Sequence, residues 1–218
     1  MGTITRSFAN NITTSGVLLP ASLNNNSIAN VTSYNAAVAT GGMKLISSQT
    51  ASNSASISFT TGIDSTYKEY QFYFINILGA SSTSFQFNLS TDGGSNYNAT
   101  KTTTFFSAYL NENNTAATLE YSGSSDLAQS TSFQNMGGIG NDADQCGNGI
   151  LSIFNPSSTT YVKHFIGNTS LTYGTGASSG HEQCYFAGYA NTTSAVNAVR
   201  FKMASGNFDG TILLFGIV

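Results

Sequence analysis

Along most of the chain, apolar and polar residues alternate one by one, the period of a pleated strand with one face buried. Tyr70, Phe72 and Phe74 fall on one face of their segment while Gln71 and Tyr73 fall on the other. In SFQFNLS, Phe85, Phe87 and Leu89 alternate with Gln86 and Asn88; in VNAVRFKM, Val199, Phe201 and Met203 alternate with Arg200 and Lys202. Further runs at 43–49, 54–59, 101–110, 148–154, 160–167, 182–189 and 211–218 are rich in β-branched and aromatic residues, which suit a half-buried pleated surface. Turn formers separate them, above all the segments 91–95, 155–158 and 205–207 and a long Gly/Asn/Asp stretch at 137–149. Short strands joined by polar turns predict an all-β sandwich or barrel over residues 43–218.

Individual turn residues have a stereochemical reason to be there. Gly62 permits a positive φ, and Asp64 can accept backbone N–H bonds in the turn GIDSTY that feeds the strand after it. Asp92, Gly93 and Gly94 are expected to close a hairpin, since both glycines reach left-handed conformations without penalty. Pro156 after Asn155 ends a strand and fixes the next turn.

Residues 1–42 break the pattern. Ile4, Phe8 and Ile12 recur every fourth position, but the Thr, Ser and Asn between them are poor helix formers, and the later residues are Asn runs with scattered apolar side chains. Such a segment buries little against its own domain. It reads as an extended attachment arm, with Phe8, Ile12, Val17, Leu18 and Leu19 as its anchors.

Composition narrows the function. Only 8% of the 218 residues are charged, against roughly 25% in soluble domains generally. Fifteen Phe and 11 Tyr supply ample core, so disorder does not fit. Seven Lys and Arg, scattered, make no basic patch for a phosphate backbone, and no nucleic-acid partner is expected. The longest apolar runs, near 72–78 and 212–218, are strand-sized, so no membrane insertion is expected. Ser, Thr and Asn cover the surface with neutral hydrogen-bonding groups instead of ions.

Candidate chemistry is thin. Asp126 with Glu120, or Asp142 with Asp144, could serve as glycosidase-like carboxylates, but no spacing forces either pair onto one face. His164 stands in an alternating strand and His181 in a Gly-rich loop, and no nucleophile elbow accompanies them. GNDADQCGNG mimics the start of a calcium loop through Asp142, Asp144 and Cys146, yet its twelfth position is Ile153 where that loop needs Glu. Cys146, Cys184 and His181 fall short of a four-ligand zinc site. Cys146 and Cys184 are either a disulfide or two free thiols. The expectation is no catalytic residue, no metal and no cofactor. Loop tyrosines Tyr97, Tyr109, Tyr173 and Tyr189 could stack on sugars, or belong to core edges and subunit contacts.

The segments FTTGIDSTYKEYQFYFINI, FNLSTDGGSNYN, FNPSSTTYVKHFIGNTS and NAVRFKMASGNFDGTILLFGI together resemble a β-sandwich module widespread in virion proteins of tailed phages and prophages. That family commonly carries Gly-hydrophobic-Asp-Ser-x-Tyr-Asp-x-Tyr, a Ser-x-Asp-Gly-Gly-Ser hairpin, Asn-Pro-Ser-Ser before a strand, and a closing Leu-Tyr-Gly. Here Lys68 stands in the second Asp place and Phe215 in the final Tyr place. The match spans residues 43–218 and concerns structural motifs. It implies a jelly-roll-like antiparallel sandwich in a non-enzymatic accessory protein of the virion, often a homotrimer, with 1–42 attaching it to a major capsid, tail or neck protein. Capsid decoration or cement is the first expectation. A short fibre that recognises host surface polysaccharide is the alternative, and a polysaccharide-degrading spike the third.

Overall fold

The computed structural model describes residues 42–174 and 179–218. The expected arm anchors Phe8, Ile12, Val17, Leu18 and Leu19 therefore lie outside the described residues. Twelve strands follow in order: β1 Met43–Ser54, β2 Ile57–Phe59, β3 Glu69–Gly79, β4 Thr83–Ser90, β5 Lys101–Asn111, β6 Ala117–Tyr121, β7 Gln134–Ile139, β8 Gly147–Phe154, β9 Lys163–Tyr173, β10 Gly180–Ala190, β11 Ala198–Met203 and β12 Phe208–Ile217.

They form two antiparallel sheets. The larger has the order β1-β12-β3-β8-β9-β10-β5-β6 and the smaller β2-β11-β4-β7. The two pack face to face as a jelly-roll-like sandwich, because each offers one apolar face that must be covered. Strand β3 lies inside the large sheet between β12 and β8, with Tyr70, Phe72 and Phe74 buried and Gln71 and Tyr73 turned outward. Opposite it, Phe201 on β11 forms the hub of an aromatic core. Its ring centroid lies 5.1 Å from those of Phe72 and Phe74, 6.1 Å from Phe85, 6.2 Å from Phe59 and 6.4 Å from Phe87.

The predicted turns are present, one in a different setting. Gly62 has φ +81°, with the Ile46 side chain where a Cβ would go. Asp64 Oδ1 accepts from Thr66 N at 2.8 Å and from the buried Tyr70 hydroxyl at 3.0 Å. These bonds, Thr66 first, hold its carboxyl below the usual range. Pro156 is buried just beyond β8, and its carbonyl accepts from Val196 N at 2.9 Å.

The turn at Asp92-Gly93-Gly94 does not close a hairpin. Strands β4 and β5 belong to opposite sheets, so the segment between them crosses the edge of the sandwich. Gly93 and Gly94 do have positive φ, at 73° and 92°. Asp92 ties the crossing together by accepting from Ser90 Oγ at 2.6 Å and Asn96 N at 2.9 Å, and these bonds, Ser90's foremost, lower its carboxyl to about 2.

Candidate functional site

The large sheet is wider than the small one, and its outward face is where the chain is most unusual. A half-buried strand normally puts polar residues outward. Three strands here carry apolar doublets instead: Phe105-Phe106 on β5, Phe165-Ile166 on β9 and Tyr185-Phe186 on β10. Because successive side chains point to opposite faces, one member of each doublet must leave the core. Phe105, Phe165 and Phe186 are buried; Phe106, Ile166 and Tyr185 are 44%, 57% and 42% exposed.

Register brings the outward members together. Tyr121 on β6 pairs with Phe106 on β5, which pairs with Tyr185 on β10. The Phe106 and Tyr185 rings stack with centroids 5.0 Å apart and planes 13° from parallel. This aromatic row forms a ridge across three strands. Two residues along, Thr104 on β5, Ala187 on β10 and Ile166 on β9 form the next row, and Thr102, Tyr189 and His164 the one after. Thr104 and Ala187 are short, so the sheet is hollowed beside the ridge. Two adjoining hollows of about 370 and 230 Å³ share Thr104, Ile166 and Ala187 in their walls.

Strand β6 extends the face to the sheet's edge. Every residue of Ala117–Tyr121 is exposed, and Leu119 and Leu110 add to the apolar surface. Among the described residues β6 pairs only with β5. The outward positions of β5, β6, β9 and β10 carry no Lys, Arg, Asp or Glu: Glu120 and Glu182 alternate to the other side, and Lys101 and Lys163 point inward. A carboxylate appears at the rim, where Asp126 accepts from the Tyr121 hydroxyl at 2.5 Å.

The candidates for chemistry do not converge. His164 sits beside Tyr189, ring centroids 5.8 Å apart, at one end of β10. His181 is in strand β10, not in a loop, and its register partner Thr172 places it at the strand's other end. Asp142 and Asp144 occupy the β7–β8 turn, and among the described residues no three His, Cys, Asp or Glu gather as a metal site. Cys146 and Cys184 are free thiols, and burial pushes the Cys184 thiol up. Tyr97 is buried in the β4–β5 crossing, with the Arg200 guanidinium 4.0 Å above its ring. Tyr109 is partly covered on the inward side of β5, and the side chain of Tyr173 lies outside the described residues.

Two lysines lie buried at one end of the sandwich. Lys101 and Lys163 both pair with Ala190 in register, one from each neighbouring strand. Lys101 Nζ donates to Asn88 Oδ1 at 2.5 Å and to the Ala99 carbonyl at 2.7 Å. Lys163 Nζ donates to the carbonyls of Tyr161 at 2.6 Å and Thr192 at 3.3 Å. All four acceptors are neutral, so burial lowers both ammonium groups, Lys101 to about 7. They cap the core and do not reach the outward face.

No protein-family model matches the chain, and no curated protein matches it. The phage-module resemblance rests on the motifs alone.

Proposed function

We propose that this chain is a non-enzymatic structural protein of a tailed-phage virion surface, held to a capsid, tail or neck protein by residues 1–42 and packed against its neighbours through the outward face of β5, β6, β9 and β10. The virion setting comes from the motif resemblance. The observation that carries the assembly role is the uncharged, aromatic outward face, since contiguous exposed apolar surface marks an interaction surface. Capsid decoration is the preferred placement, because a neutral Ser/Thr/Asn surface lets many identical copies pack closely without like-charge repulsion. A short receptor-binding fibre is the second reading. Its support is the hollow beside His164 and Tyr189, whose ring faces could meet a sugar.

The test is incorporation into particles. Full-length chain is expected in purified virions in many copies for decoration, or in few for a fibre. Removal of residues 1–40 abolishes incorporation while the far-ultraviolet spectrum of the sandwich is kept. Incorporation of the full chain changes less than about twofold between low and molar salt, because no charged pair at the face is screened. A truncated chain that still enters particles overturns the arm's role, and a steep salt dependence overturns the neutral packing surface.

A further inference from the structure

We infer that the outward face is covered by a second copy of this chain, paired about a two-fold axis with the ridge of each copy seated in the hollow of the other. The inference rests on the reading of this face as an assembly surface and adds which protein covers it.

The relief is self-complementary. The ridge Tyr121–Phe106–Tyr185 and the floor Thr104–Ala187 belong to neighbouring rows that share strands β5 and β10, about 7 Å apart along the sheet. Each copy thus offers a knob and a hole side by side, the arrangement an isologous contact requires. A two-fold axis lying in the interface plane, running across the strands midway between the two rows, sets Phe106 and Tyr185 of one copy over Thr104 and Ala187 of the other. Sheets packed in this way stand about 10 Å apart with interdigitated side chains.

Charge and area agree with that occupant. A charge near the two-fold axis of such a contact meets its own copy, and the outward positions here carry no Lys, Arg, Asp or Glu to repel. Phe106, Leu110, Leu119, Tyr121, Ile166 and Tyr185 are between 42% and 77% exposed. Together they present on the order of 700 Å² of mostly apolar surface, close to the roughly 800 Å² each partner buries in a stable interface. The hollows are lined chiefly by threonine, alanine, isoleucine and aromatic residues, with His164 at one end, and their surface is mostly apolar, which suits an apolar ring more closely than a polar small molecule.

The experiment is sedimentation equilibrium on the full-length chain at micromolar concentrations, with Tyr185→Lys to place a charge on the ridge and Ala187→Arg to fill the hollow. Wild type is expected as a dimer. Each variant is expected to weaken dimerisation at least 100-fold while keeping the wild-type circular dichroism. Two variants are needed because ridge and hollow are separate halves of the contact, and loss of fold in one leaves the other to decide. A wild-type monomer, a trimer, or a dimer that survives both substitutions overturns the pairing. A dimer abolished by both variants in a chain absent from virions leaves the pairing standing and removes the proposed function. A monomeric chain found in virions does the reverse.

Discussion

Phe201→Ala lowers the stability of the sandwich by about 3–5 kcal/mol, the range for emptying a well-packed aromatic site. Phe201 is fully buried at the centre of the small sheet and lies against five other phenylalanine rings, from Phe59 on β2 to Phe87 on β4. Those rings come from both sheets and meet mostly edge to face, so none can swing into the vacated space without breaking its own contacts. A loss of this size is a large part of the roughly 5–15 kcal/mol that holds a domain folded. Urea unfolding is expected to show it as a midpoint lowered by more than about 1 M at unchanged slope. Tyr161→Ala, at a side chain 70% exposed on the loop before β9, is expected to change stability by less than about 0.5 kcal/mol. Similar losses at the two sites would contradict the placement of the core.

Lys101→Met changes how stability depends on pH. In the folded chain burial lowers the ammonium to about 7 from 10.5. Between those values the unfolded chain holds a proton that the folded chain has released. The unfolded state therefore binds more protons, and stability rises with pH across that window. Below it both states are protonated and the full cost of the buried charge is present. Relative to Lys101→Met, the wild type is expected to gain about 2.5 kcal/mol between pH 6 and pH 9. The comparison must be a difference, because the Cys184 thiol works the other way. Its folded value is raised, so its contribution is lost as pH climbs past the value of an unfolded cysteine. The variant also leaves Asn88 Oδ1 with only its bond from Leu89 N and removes the Ala99 carbonyl's lysine partner, so its absolute stability stays near that of the wild type at low pH. Parallel urea-derived curves for the two proteins would show that Lys101 is solvated and ordinary.

Alternation carried much of this fold in plain view. Tyr70, Phe72 and Phe74, Phe85, Phe87 and Leu89, and Val199, Phe201 and Met203 all lie where a two-residue period puts them, inside. Two strands escaped it. The β6 sequence ATLEY has no buried face to leave a periodic trace, since all its residues are exposed. Strand β7, QNMGGI, passes for a turn because Gly137 and Gly138 interrupt it, yet Gly137 is in the strand, where φ +120° and the Leu171 and Cys184 side chains at the place of a Cβ both call for glycine. The hairpin expected at Asp92 failed for a topological reason: local turn chemistry does not say whether the next strand pairs in the same sheet or crosses to the other.

The outward face was legible in part. The doublets Phe105-Phe106, Phe165-Ile166 and Tyr185-Phe186 each announce an apolar side chain with no place in the core. Only register shows that Phe106 and Tyr185 are direct neighbours and that Ile166 adjoins them across Ala187. The two buried lysines gave no signal at all, because a lysine at the head of a strand looks like any solvated charge until its neighbours close over it.

That covered aromatic face is the claim on which the account stands, and hydroxyl-radical footprinting of the assembled and the dissociated protein tests it most directly. Phe106, Tyr121 and Tyr185 are expected to be labelled strongly in the dissociated chain and several-fold less in the assembly, while Tyr161 is labelled equally in both. Equal labelling of Phe106, Tyr121 and Tyr185 in the two states would contradict it.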